Sequence, residues 1–404
     1  MKRPRIAAVV TEYRRYSHAQ HILDRFLWGY SWDGRHHRPP MDLVSVYTDQ
    51  TPPSDLSRSR ARLFPHMTIY PTIEEALTLG GEKLAVDGVL LIGEHGDYPF
   101  NEKGQHLYPR YEFFSRIVDV FRDSGRTASV FNDKHLSWKW EWAEEMVDTA
   151  RELEFGFMAG SSLPVVPRLP SVDLPLGADV EEAVCIGVGG IDGYDIHALE
   201  AIQSLVERRR GGETGVVNMH AIQGDAVWKA LRAGSWEAGG WDPALFEACL
   251  CRSHALTPVR LGFNHMLPTL EEIPVLFEEV KQEGQPPVAY RYQHADGLRV
   301  TMLLLEGIVH DFTCAVRIKG QRDPFSVGLF VPPREVCNFF NPLVNHTETL
   351  FLTGKSPYPV ERTLLTTGLT AAGVESIYQG RKLLQTPHLS VRYAPAKEST
   401  FWRS

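Results

Sequence analysis

Short apolar runs alternate with longer amphipathic stretches over the first 160 residues. "RIAAVV" (5–10), "LVSVYT" (43–48), "VDGVLLIG" (86–93), "TASVF" (127–131) and "FGFMAG" (155–160) have the length and branching of strands. Between them, "SHAQHILDRFLWGY" (17–30), "TIEEALTLGGEKLA" (72–85), "RYEFFSRIVDVFRDSG" (110–125) and "WEWAEEMVDTARELE" (140–154) carry helical periodicity. This alternation predicts a doubly wound parallel sheet, with its ligand site beyond the carboxyl ends of the strands.

A proline-rich stretch, "SSLPVVPRLPSVDLPLG" (161–177), breaks the rhythm. Proline fixes φ and removes a backbone donor, so this stretch reads as a connector. Beyond it, "EAVCIGVG", "VRLGFNH", "VAYRYQH", "GLRVTMLLLEG", "FTCAVRIKG" and "FSVGLFV" cluster as strands with several helices around them. The expected architecture is α/β: a Rossmann-like parallel sheet over 1–162, a connector over 163–178, and an α+β open, mostly antiparallel sheet over 179–404. With helices on one side only, the other face of that second sheet stays apolar, which predicts a homo-oligomer.

Composition narrows the classes. The chain has 404 residues, 43% hydrophobic and 23% charged, as in ordinary globular proteins. A formal charge of −8 argues against nucleic acid or an anionic membrane as partner. No apolar run is long enough to span a bilayer, and the first residues carry too short an apolar run for a signal peptide. Five cysteines (185, 249, 251, 314 and 337) fit reduced thiols and a cytoplasmic location. "CLC" at 249–251 reads as packing rather than a metal site, because no second pair accompanies it.

The segment "VFNDKHLSWKWEWAEEMVDTARELEFGFMAG" resembles the region around the Glu-Lys-Pro motif of the glucose–fructose oxidoreductase / inositol dehydrogenase (Gfo/Idh/MocA) family, with "NDKH" in the place of that motif. "VDGVLLIGEHGDYP" resembles the strand and loop that meet the nicotinamide end of the cofactor. "GGIDGYDIHALEAIQSLVE" resembles the turn and helix that carry the family histidine, and the region from "HTETLF" to "YQGR" resembles its closing helices. The resemblance implies that Lys134 and His197 lie beside the carbon that exchanges hydride with NAD or NADP, in a pocket for a sugar, polyol or related hydroxy compound. The residue types suit that chemistry, since imidazole can take the hydroxyl proton and an ammonium can steady the oxygen as charge develops. The family's acid four residues before the histidine is absent, because Gly193 stands there; Asp192 and Asp195 flank it, which makes Asp195 the candidate partner.

The first turn departs from the family pattern. The positions of Gly-x-Gly-x-x-Gly are Thr11, Tyr13 and Tyr16. Glycine there permits the tight turn, close approach of pyrophosphate and helix packing, so its loss argues against ordinary NAD binding. Tyr13 and Tyr16 are expected to avoid positive φ and to fill the groove. Arg14 and Arg15 are candidate phosphate ligands in another geometry, Asp49 stands where a ribose-binding acid belongs, and Glu94, with Glu12 and Asp97, would border the nucleotide.

The strand ends also collect acids and imidazoles: Glu94, His95 and Asp97; Asp133 and His135; Asp192, Asp195 and His197; then His220 and His265. His95, His135, His220 and His265 are candidate ligands of a divalent metal, although no ordered ligand spacing accompanies them. A hydrogen-bonded sugar pocket uses the same residue types. "RRRGGETG" (208–215) reads as a helix end rather than a phosphate site, and Trp138, Trp140 and Trp142 as packing at a helix start. Three readings stand: a sugar or polyol oxidoreductase, a nucleotide-independent lyase, isomerase or hydrolase in the same pocket with or without metal, and a non-catalytic sugar-binding protein.

Overall fold

The structure is a computed structural model that describes residues 3–256, 268–281, 285–332 and 338–403. The first part runs β1 (Arg5–Glu12), α1 (His18–Trp28), β2 (Tyr30–Trp32), β3 (Arg35–His37), β4 (Asp42–Gln50), α2 (Ser57–Leu63), β5 (Thr68–Tyr70), α3 (Ile73–Thr78), β6 (Gly88–Ile92), α4 (Arg110–Ser124), β7 (Ser129–Asp133), α5 (Trp140–Glu152) and β8 (Phe157–Gly160). The second part runs β9 (Arg168–Leu169), β10 (Val180–Gly187), α6 (Asp195–Val206), β11 (Val216–Gln223), α7 (Asp225–Ala233), α8 (Pro243–Arg252), α9 (Ile273–Val280), β12 (Val288–His294), β13 (Arg299–Leu304), β14 (Phe312–Ile318), β15 (Phe325–Leu329), α10 (Asn341–Thr353), α11 (Val360–Tyr378) and β16 (Leu384–Gln385).

The first sheet has the order β5-β4-β1-β6-β7-β8, with every pair parallel. The chain therefore winds outward from β1 in both directions, and the strand order reverses beside β1. Ile6 to Val10 are fully buried because helices cover both faces, as an unbroken apolar run requires. Helix α1 packs Ile22, Leu23 and Phe26 on one face, and α4 packs Phe113, Ile117 and Phe121 on the other. Helix α10 comes from the far end of the sequence, yet Leu343, Val344 and Phe351 join α1 in that first core. The helix expected over 72–85 stops at Thr78, because Leu79 turns left-handed at φ 54 and two glycines follow.

The second sheet has the order β16-β11-β12-β13-β10-β14-β15-β9 and is antiparallel except for β10 with β13. Its two faces are both covered, which corrects the expectation of helices on one side. Ala183 and Cys185 of β10 meet α6 and α11, whereas Val184 and Ile186 meet Trp228 of α7, Phe246 of α8 and Phe277 of α9. The face expected to be left apolar for a second copy is thus occupied by the chain's own helices. The expected strand "VRLGFNH" lies outside the described residues, and so does Cys337. Among the described residues no helix is long and apolar enough to cross a membrane.

Candidate active site

The carboxyl ends of β1, β6 and β7 point toward the start of α6, and the polar residues gather there. Thr11 Oγ1 donates to the Glu94 carbonyl at 2.9 Å and ties the end of β1 to the loop after β6. Lys134 follows β7 directly and donates to Glu94 Oε1 at 2.7 Å and to the Gly193 carbonyl at 3.3 Å. Arg110, the first residue of α4, holds the other oxygen of Glu94 at 2.6 Å and meets His135 Nε2 at 2.9 Å. The loop before α6, which carries Gly193, thereby closes over the parallel sheet.

Burial sets the charges. Burial by itself would raise the Glu94 carboxyl, but Lys134 and Arg110 outweigh it and hold Glu94 well below the usual carboxylate range. Burial lowers His95 to about 4, and pushes His135 and His197 well down, with the charges of nearby Arg110 and Lys134 respectively adding to it. These three rings are neutral at pH 7. Asp195 is raised to about 7, chiefly by burial and then by Asp192. Its carboxyl accepts from Tyr290 Oη at 3.0 Å and from the Ile196 amide at 2.9 Å. Asp192 accepts from the His106 amide at 2.7 Å and is itself raised by burial.

Backbone strain concentrates in the same place. Tyr16, His95, Lys134 and Asp192 all have φ between 62° and 72° without being glycine. Several buried polar atoms here have no partner among the described residues: His95 Nε2, Asp133 Oδ1, His135 Nδ1, Asp192 Oδ1 and His197 Nδ1. Buried polar groups are ordinarily paired, so these atoms are available to hydrogen-bond a polar molecule. A groove of about 490 Å³ lined by residues such as Arg151, Phe155, Tyr358 and Pro395 lies elsewhere and shares none of these residues.

The cofactor candidates fare differently from one another. Tyr13 is fully buried and donates to Asp24 Oδ1 at 2.5 Å, while Arg60 holds both oxygens of Asp24, so Tyr13 is part of the core. Tyr16 does adopt positive φ, contrary to expectation, and its ring is 74% exposed instead of filling the groove. The left-handed turn is held by the Tyr16 amide donating to Gln20 Oε1 at 2.6 Å. Ser17 caps α1, accepting from the amides of Gln20 and Arg14 at 3.1 and 3.2 Å. The chain's own side chains therefore take donors that a pyrophosphate would use at this helix end. Arg14 pairs with Glu12 at 2.7 Å, and Arg15 is exposed. Asp49 has both oxygens engaged, by Tyr47 and by Tyr98, each at 2.7 Å. Gln50 bridges to the backbone of Asp97 beside it. The residues present do not fit a dinucleotide held in the usual way.

Among the described residues the metal candidates do not form a ligand group. His220 lies in the second sheet and meets the Arg381 carbonyl, His135 is engaged by Arg110, and His265 is outside the described residues. Among the described residues no group of three or more His, Cys, Asp or Glu could hold a metal ion. The "RRRGGETG" arginines are also engaged: Arg209 by Glu213 and Asp296, Arg208 by the Leu174 carbonyl, Arg210 by Asp179. Trp142 stacks on Tyr111 with centroids 4.6 Å apart and meets Trp138 edge-on, as helix-start packing.

Sequence reasoning missed His18, Arg110 and Tyr98. His18 opens α1, and its Nδ1 meets Asp133 Oδ2 at 2.6 Å. A histidine directly after the serine N-cap, at the first turn of such a sheet, was the available signal.

This arrangement of a six-stranded parallel sheet reversing beside β1 and a large mixed sheet is similar in fold to several solved structures. Similar solved structures include GenD2 from gentamicin A biosynthesis in complex with NAD (TM-score 0.56, 10% identity, 95% of this chain and 97% of that one). Another is myo-inositol 2-dehydrogenase from Lactobacillus plantarum (0.54, 10% identity, 95% and 99%). A third is a Gfo/Idh/MocA family oxidoreductase from Vibrio cholerae (0.52, 14% identity, 93% and 99%). No family model and no curated protein matches the sequence.

Proposed function

We propose that this chain is an enzyme of the sugar and polyol oxidoreductase type, acting on a hydroxy compound in the cleft between the parallel sheet and the start of α6. The observation that carries this reading is that Lys134, held by Glu94, reaches the Gly193 carbonyl in the loop that leads into α6, whose first turn carries the buried His197. A cation held by a buried carboxylate can steady an oxygen that gains negative charge. Neutral imidazoles with free ring nitrogens can bond to hydroxyl groups. The similar structures named for inositol and gentamicin chemistry support the substrate class, and the NAD complex among them supports a nicotinamide partner in this fold.

A second reading is favoured by the first turn. Its amides are taken by Ser17 and Gln20 and its strand-end acid by two tyrosines, which supports redox-neutral proton transfer in the same cleft without nucleotide. Turnover of inositols, aldoses and ketoses, assayed with and without NAD and NADP, separates the two. Loss of turnover in Lys134→Ala and His197→Ala with retained folding supports the shared cleft. Full activity in both variants sinks it.

A further inference from the structure

We infer that His18, held by Asp133, is the base of this cleft, a deepening that rests on the second, redox-neutral reading of the site. The His18 ring meets Asp133 Oδ2 through Nδ1 at 2.6 Å, and the Asp133 side chain is 1% exposed. With Asp133 as the acceptor, Nδ1 is the donor of this bond, and the neutral form of the ring carries its lone pair on Nε2. Nε2 has no hydrogen-bond partner among the described residues. An imidazole oriented by a buried acid with its other nitrogen free is the arrangement used for general-base catalysis.

The other histidines near Lys134 lack this support, whereas His294, held through Nδ1 by Glu213 at 2.8 Å, lies fully buried in the second sheet, where no substrate reaches it. Among the described residues, His197 has Nδ1 buried without a partner, and no carboxylate bonds to its ring. His135 is engaged at Nε2 by a guanidinium, which keeps that lone pair occupied. His95 stands edge-on to His18 with centroids 5.5 Å apart, and Phe340 lies 5.1 Å away on another side. His95 follows Glu94 and Asp133 precedes Lys134, so these two contacts bring His18 to the same strand ends as the Lys134–Glu94 pair. Asp133 and Lys134 are neighbours in sequence, and the left-handed turn at Lys134 sends the two side chains to different partners. One residue thus orients the base while the next carries the cation.

The step is a proton transfer. The substrate C–H bond next to a carbonyl breaks, a new N–H bond forms at His18 Nε2, and the electron pair stays on the substrate as an enolate. Its oxygen is steadied by the Lys134 ammonium. No oxidant is consumed.

The test uses the full chain with D-glucose, D-fructose and an inosose as probes in deuterium oxide, without nucleotide, together with nitrogen-15 spectra of its histidines. The wild type is expected to wash deuterium into the carbon beside the carbonyl of at least one probe, and His18 to show a protonated Nδ1 and bare Nε2. His18→Gln should slow exchange by about 100-fold or more with an unchanged melting temperature. Asp133→Asn should slow exchange and move the proton off Nδ1, whereas Lys134→Met should slow exchange and leave the tautomer as it is. Exchange that persists in His18→Gln overturns the base while leaving the reading of the cleft intact. So does a wild-type His18 protonated on Nε2. Absence of exchange with every probe overturns the redox-neutral reading and the base together.

Discussion

Tyr98 donates its hydroxyl to Asp49 Oδ2 at 2.7 Å, and so occupies an oxygen of the acid that the sequence resemblance would give to a ribose. Tyr47 takes the other oxygen, and Asp49 in turn raises both phenols, in each case after burial as the larger cause. A ribose would have to displace a tyrosine, and its pyrophosphate would have to displace Gln20 from the Tyr16 amide. Each such exchange trades one hydrogen bond for another, for little net gain. We expect calorimetric titration with NAD or NADP to show no micromolar binding. Saturable micromolar binding that is lost in Asp49→Ala would falsify this account of Asp49.

Arg110 and Lys134 neutralise one buried carboxylate from two sides, and they differ in burial. The Arg110 side chain is fully buried, and it also holds His135. Arg110→Met should cost about 3–5 kcal/mol in urea unfolding, the range for breaking a buried ion pair. Lys134→Met removes a cation that is slightly less buried and holds no histidine, so its cost should be smaller. Equal costs for the two single variants would show that Lys134 bears as much of the fold as Arg110.

Asp195 makes stability depend on pH. Its folded value of about 7 lies above the ordinary 3.8, so the fold favours the neutral acid. The contribution is fully present below the unfolded value and is lost as pH rises through the folded one. Between about pH 5 and about pH 8 this amounts to roughly 3 kcal/mol. Asp195→Asn keeps a neutral side chain of the same shape at every pH. Urea unfolding at both ends of that range should therefore show a steeper fall for the wild type than for the variant. Parallel curves would mean that Asp195 is ionised throughout, with Tyr290 and the Ile196 amide stabilising its charge.

The parallel sheet was legible because its apolar runs are short, unbroken and separated by amphipathic helices of ordinary length. Lys134 and His197 were legible only through the resemblance, since nothing in the spacing of "NDKH" and "DGYDIH" says that their side chains meet. The capped turn was hidden for a physical reason. Whether Gln20 reaches back to the Tyr16 amide depends on the turn going left-handed, and non-glycine residues give no local sign of that. Arg110 and Tyr98 were missed because their partners are 16 and 49 residues away in sequence. The cover on both faces of the second sheet had a usable signal. "AVCIGV" and "TMLLLE" are continuous apolar runs, whereas a sheet with one open face alternates.

That cover yields the last prediction. Trp241 is 1% exposed and lies with Phe246, Phe277 and Val184 between α8, α9 and the second sheet. Its indole is among the largest fully buried side chains, so Trp241→Ala removes a large apolar volume at one point of the layer. The expected cost is about 3–5 kcal/mol. Loosening the layer should also uncover Val184, Ile186, Leu303 and Ala315, which form the apolar face of the strands beneath. An exposed apolar sheet face recruits another surface. The variant should then associate as its concentration rises, as read by light scattering, while the wild type keeps one mass over the same range. Any homo-oligomer of the wild type would have to use a surface other than this one. If the wild type forms an oligomer that Trp241→Ala dissociates, the layer of α7, α8 and α9 is part of the contact between copies and does not replace it.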